Sequence, residues 1–207
     1  MASVHLLDIM TPERVVAFLL FAVVAAVTPG PSNLLLTAAG ARVGVVRGMP
    51  AVLGVGLGMG AMMLGVAFGL GSAVLASRTA MRALNVAGAA FLLWLAWKIA
   101  TAPAGGPAGA RGAVGFLGAA AFQWINPKSW LVCAGAAGTY LDAAAGSALA
   151  QSVALGALFA LASLPCGLVW LAFGAAAQRV LRTERARRVF NVAMGLVLAG
   201  SVAMILR

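Results

Sequence analysis

Hydrophobic positions along this chain neither alternate nor trace a single helical stripe; they run in long unbroken blocks. Six blocks stand out, at 14–41, 48–75, 82–101, 114–140, 147–177 and 189–206. A helix crosses a bilayer in about 20 apolar residues, more if tilted, so each block can make one span. The period-two alternation of a strand-built barrel is missing from them. The expected fold is therefore an all-α integral membrane protein with six transmembrane helices. Short turns separate the blocks, and APAGGPAGARGA at 102–113 is the one connection with the composition of a linker. It divides the chain into a first three-helix repeat, 1–101, and a second, 114–207.

The two halves resemble each other. RALNVAGAAF at 82–91 aligns with RVFNVAMGLV at 188–197, and Thr28-Pro29 falls on Asn126-Pro127 when the first blocks of each half are matched. Three spans per half is an odd number, so the second half enters the membrane from the opposite side. That is a 3+3 inverted repeat, an architecture many secondary transporters share.

Polar punctuation inside the apolar blocks carries the chemistry. In TPGPSN at 28–33, proline removes backbone donors, yet it suits the first position of a new helix, and Thr28 or Gly30 can precede it as a cap. Block four repeats the grammar, with Asn126 as cap, Pro127 as first helical residue and Lys128 next. Helices 1 and 4 are thus expected to break near the midplane. Backbone broken at that depth needs a watery cavity or a protein cover. Fresh helix starts carry partial positive charge and bind anions, and Lys128, itself opposed by the dipole of its helix, would be relieved by an arriving carboxylate. Packing kinks are the bland alternative for either break alone. Ser32, Asn33, Gln123 and Ser129 are further candidates to line the cavity, since amides are costly to leave facing lipid. Asn85 and Asn191 read as interfacial packing. The glycines of VLGVGLGMG at 52–60 give close helix approach, though a spacing of two makes no single face.

Composition narrows the function. The chain is 63% hydrophobic and 9% charged, with mean hydropathy +1.05, whereas soluble domains carry roughly a quarter charged residues. Its formal charge of +10 is scattered among apolar blocks without the aromatic interleaving that tracks nucleic acid. Counting Lys and Arg gives nine on the side of the 1–2, 3–4 and 5–6 loops against four opposite, which puts both termini outside the cytoplasm. The 179–188 cluster, read as a solvated basic loop, sets that margin. Arg14 and the run after it resemble a signal peptide, but Asp8 and Glu13 crowd its basic region, so a retained first helix is expected. The single histidine, His5, lies in the N-terminal tail, and no span holds a carboxylate, so neither an enzyme, a metal site nor a cofactor is expected. Cys133 and Cys166 lack CxxC spacing and read as small buried hydrophobes. A membrane thiol-redox protein using both is an alternative from another class.

TPGPSNLLL, GARVGVVRGMPAVLGVGLG, NVAGAAFLLWLAWK and NPKSW, in this order and spacing, resemble the lysine-exporter (LysE/RhtB-type) amino-acid efflux proteins over nearly the whole chain. The resemblance implies a bacterial inner-membrane exporter of amino acids or close derivatives, driven by proton exchange. It maps the family motifs onto Thr28, Pro29, Gly30 and Pro31 and onto Asn126, Pro127 and Lys128. Many members carry tyrosine where Phe91 stands, and a Pro-Gln-Phe run where this chain has GTYLD at 138–142. A basic substrate would need an intramembrane carboxylate, so a neutral amino acid is favoured, its carboxylate on the helix starts and Lys128, its ammonium on carbonyls freed at the breaks. Lys128 and Asp142 are the candidates for charge coupling. The expected partners are the amino acid, the lipid bilayer and protons, with a homodimer left open and nucleic acid excluded. A carrier or channel for another small anion or metabolite is the runner-up.

Overall fold

The computed structural model describes residues 10–102, 114–142, 147–181 and 183–205. His5, Asp8, the linker from 103 to 113, Arg182 and Arg207 lie outside them. The described residues form helices α1 (Pro12–Val27), α2 (Pro31–Gly65), α3 (Gly71–Ala76), α4 (Arg78–Ala100), α5 (Phe116–Ile125), α6 (Pro127–Tyr140), α7 (Ala148–Val180) and α8 (Glu184–Ile205). A π-helical turn, Val66–Leu70, joins α2 to α3. Pro31–Ala76, Arg78–Ala100, Ala148–Val180 and Glu184–Ala203 are long and apolar enough to cross a membrane. The first and fourth blocks fall short as single helices because each is cut in two, into α1 and the start of α2, and into α5 and α6.

Several boundaries differ from the sequence expectation, each for a local reason. The turn expected at 42–47 shrinks to one residue, Gly44, whose φ of 75° lies where only glycine is at ease. Block three starts earlier than expected, at Arg78, because the Ser77 hydroxyl caps the Ala80 N–H at 3.2 Å. The 179–188 cluster is mostly helix rather than loop. Arg179 lies in the last turn of α7, and Thr183 Oγ1 accepts from Ala186 N at 3.1 Å to start α8, with Glu184 in its first turn.

Contacts fix how the helices run. Gly48 packs on Leu171, Gly56 on Leu164 and Gly60 on Gly156, so the 45–65 limb of α2 is antiparallel to α7. Leu36 meets Gly167, and Gly40 meets Leu171 and Ala175, so the 31–43 limb is parallel to α7 and the chain folds back at Gly44. Along the first and fourth blocks, Arg14 contacts Asp142, Tyr140 reaches Ala17, Lys128 reaches Thr28 and Ser32 bonds Gln123. One number rises as the other falls. The two broken blocks are therefore antiparallel along their length, with the breaks facing each other midway. Gly195 against Ala96 and Ala100, and Asn191 bonded to Ala102, make α8 antiparallel to α4.

The evenly spaced glycines serve two faces. Gly54 and Gly58 let α5 approach through Phe116 and Ala120, while Gly56 and Gly60 let α7 approach through Ala160 and Gly156. Each pair is four residues apart, one helical turn, so a spacing of two yields two faces and wedges α2 between α5 and α7. Phe18, Phe122, Phe159, Met62 and Met63 fill the core, while valines and leucines cover the outside, with Leu117 at 79% exposure. An exterior of this kind is a lipid-facing surface. Because lipid is as apolar as the core, close packing and hydrogen bonds hold these helices together.

Candidate functional site

At the first break, Thr28 turns out of α1 while its N–H and hydroxyl both donate to the Val24 carbonyl, at 3.0 and 2.6 Å. Pro29 and Pro31 have no N–H to offer the carbonyls of Ala25 and Val27, so α1 cannot continue. Gly30 is extended and Pro31 opens α2, with no side-chain cap. Asn33 ties the pieces together: its Nδ2 donates to Ala26 O at 3.1 Å and Thr28 O at 2.9 Å. At the second break Asn126 Oδ1 accepts from Lys128 N at 3.1 Å, and Pro127 opens α6. This is the cap the sequence led us to expect.

The breaks are bridged by Lys128. Its Nζ donates to Thr28 O at 2.7 Å and lies 3.5 Å from Pro29 O. Gly30 makes room, since a Cβ there would sit 3.0 Å from Lys128 Cδ and Nζ. The electrostatics favour this reach. Lys128 opposes the dipole at the start of α6, but its ammonium rests on the carbonyl end of α1, the negative pole of that helix. A serine–amide network crosses the same seam. Asn126 Nδ2 donates to Ser32 Oγ (3.2 Å), and Ser32 Oγ and Ser129 Oγ both donate to Gln123 Oε1 (3.0 and 3.1 Å). Gln123 Nε2 bonds Ala119 O at 3.0 Å, so an amide with no exposed surface is satisfied.

These groups wall a cavity of about 50 Å³, on a measure where one water needs roughly 10–15 Å³. Of the candidate residues, Gly30, Ser32, Asn33, Gln123, Asn126, Lys128 and Ser129 line it. Thr28, Pro29, Pro31 and Pro127 do not; they shape the breaks, and Thr28 and Pro29 contribute carbonyls to Lys128. Asp142 stands apart at the end of the seam, ion-paired with Arg14 at 2.7 Å. Val55, Met59, Val132 and Phe159 supply an apolar wall, and Ser163 and Gly167 of α7 close it. Sequence reasoning missed this contribution of α7. Its signal was Pro165, a proline inside the helix two residues past Ser163, which leaves the Leu161 carbonyl without its helical donor. Cys133 and Cys166 are free and buried, and neither is among the lining residues. Asn191 bonds Ala102 O at 3.4 Å, whereas Asn85 Oδ1 is buried without a partner.

The site offers both poles to a small dipolar solute. For an anion there are the Lys128 ammonium and the start of α2, which has no side-chain cap; for a cation there is the carbonyl end of α1, where that ammonium now rests. Among the described residues no carboxylate lines it. Comparison with known proteins agrees with a solute carrier. Residues 23–206 match the family model of the LysE type translocator. The cysteine/O-acetylserine efflux protein of Salmonella typhimurium (strain LT2) is 32% identical over 192 residues, spanning 91% of this chain and 95% of the relative. Its counterpart in Escherichia coli (strain K12) is 30% identical over the same shares. No solved structure gives a significant match. With the family motifs at the two breaks, the family model covering nearly the whole chain and an apolar exterior around them, the chain belongs to the LysE-type translocators, a family of membrane transporters for amino acids and not of enzymes.

Proposed function

We propose that this translocator exports neutral amino acids or close derivatives across the bacterial inner membrane in exchange for protons. The observation that carries the reading is the cavity between two facing helix breaks, bridged by Lys128 at 2.7 Å from Thr28 O. The substrate carboxylate competes for the Lys128 ammonium and takes the uncapped first turn of α2, because an ammonium bonded to a charged acceptor outweighs the same ammonium bonded to a neutral carbonyl. Its ammonium turns to Ala25, a lining residue whose carbonyl lost its helical donor to Pro29. Ser32, Asn33, Gln123, Asn126 and Ser129 form the polar wall that fixes orientation. A neutral side chain suits the apolar wall, since none of the described lining residues is acidic. The relatives, efflux proteins for cysteine and O-acetylserine, point to small substrates of that kind.

In this reading the chain spans the membrane six times as an inverted 3+3 repeat, residues 1–101 and 114–207 joined by the 102–113 linker, with both termini outside. The antiparallel course of the two broken blocks and of α4 against α8 supports it. Lys128 carries the charge coupling. Counterflow in proteoliposomes tests the substrate class: internal cysteine or O-acetylserine should accelerate uptake of labelled cysteine, and lysine should not. Equal acceleration by inorganic phosphate or chloride would favour a general anion carrier instead.

A further inference from the structure

Past the cavity, the seam between the first and fourth blocks runs on to the end where α1 begins and α6 stops. There it is closed in layers. Phe159, which lines the cavity, packs edge-on against Phe18 with ring centres 6.1 Å apart. Phe18 has no exposed surface and meets Tyr140 edge-on at 5.2 Å, and Phe21 lies 5.8 Å from the same Tyr140 ring. The Tyr140 hydroxyl donates to Ala17 O at 3.2 Å. One layer further out, Arg14 Nη1 meets Asp142 Oδ2 at 2.7 Å. Asp142 is held for this contact by α7: its N–H donates to Gln151 Oε1 at 2.9 Å, and its carbonyl accepts from Gln151 Nε2 at 2.8 Å. Gln151 is only 2% exposed, and spending a buried amide on one loop residue fixes where that carboxylate stands.

We propose that these residues are the gate that closes the outward end of the pathway, with the Arg14–Asp142 pair as its latch and the Phe18–Tyr140–Phe159 rings as its plug. The latch joins residues from the two halves, so relative motion of the halves must break it. Its partners remain 45% and 30% exposed, and a wetted pair contributes little net stability, so it is cheap to make and break in every cycle. The rings behind it exclude water while the blocks stay together, and they part as the blocks separate, a motion that loss of the pair favours. The outward assignment rests on the orientation proposed above.

The test reads accessibility and not export. In a chain lacking Cys133 and Cys166, Val132→Cys places a thiol in the cavity wall, and a membrane-impermeant maleimide is applied to intact cells. Arg14→Ala or Asp142→Ala should each raise the labelling rate about threefold, the scale on which a half-exposed pair biases a two-state equilibrium. The exchange Arg14→Asp with Asp142→Arg should bring it back down. Tyr140→Phe, which keeps the ring and loses only its bond to Ala17, should raise labelling less than either. Membrane yield and a monodisperse elution profile confirm that each variant folds. Unchanged labelling in both single variants, a rise that the exchange does not reverse, or a rise confined to inverted vesicles would each overturn the gate. A chain that did not export neutral amino acids would still show the labelling pattern, so the two readings fail separately.

Discussion

Lys128 sits against two helix ends at once, and its surroundings explain why a lysine is tolerated there. Its backbone N–H is taken by the Asn126 side chain, while its ammonium rests on Thr28 O at 2.7 Å. The unfavourable dipole of its own helix is thus offset by the favourable one of α1. Gly30 is the residue that permits this reach, so Gly30→Ala should crowd the lysine tail without unfolding the protein, because a flexible end can shift. The expected result is export slowed roughly tenfold at unchanged membrane yield, as misplaced binding groups cost activity steeply. Asn126→Ala removes a cap and the donor to Ser32; it should cost about 1 kcal/mol, seen as a lower melting temperature in detergent. Most of these residues were legible in the sequence because an amide, hydroxyl or ammonium inside an apolar block demands a partner. Ser163 was not. A serine in a membrane helix satisfies itself on the carbonyl one turn back, as Ser163 does on Phe159 O at 2.7 Å, and so gives no sign that it faces a cavity. Phe159 likewise reads as any core residue would.

Among the helices, small residues decide which faces meet. A side chain at Gly174 would run into the Thr37 carbonyl, and one at Gly60 would lie 2.7 Å from the Gly156 carbonyl. Gly138 and Gly200 have open space around them. Gly174→Ala should therefore destabilise by about 1–3 kcal/mol, the usual cost of overpacking, while Gly138→Ala should leave the melting temperature unchanged. Gly44→Ala is a different case: nothing crowds its Cβ, but its φ of 75° penalises any side chain by about 1–2 kcal/mol. Block existence and type were readable because long apolar runs admit few alternatives. Boundaries were less so, since caps such as Ser77 and Thr183 extend helices into stretches that charge alone marks as loop. The glycine run at 54–60 showed close approach but not its direction. A helix of period 3.6 splits a spacing of two between neighbouring faces, and only the positions of α5 and α7 reveal which glycine serves which.

At the scale of the whole molecule, two broken blocks lie antiparallel with their breaks opposed, so each positive helix start stands near a negative helix end. A solute with both charges matches such a site, and one with a single charge matches half of it. The pairing of the blocks was anticipated from Thr28-Pro29 and Asn126-Pro127, yet the α7 contribution was not, because pairing within a repeat says nothing about what covers the seam. If the halves are inverted and the arginine bias sets orientation, reporters fused to either terminus should be active on the periplasmic face; activity in the cytoplasm would reverse the gate assignment as well. The central claim, that Lys128 at the junction of the two breaks binds and moves the substrate, has one direct measurement: cysteine counterflow by purified Lys128→Ala and Lys128→Arg in proteoliposomes, beside the parent protein. The account predicts that alanine abolishes counterflow while the protein still inserts and melts cooperatively, and that arginine retains a measurable fraction. Counterflow undiminished in Lys128→Ala would contradict it.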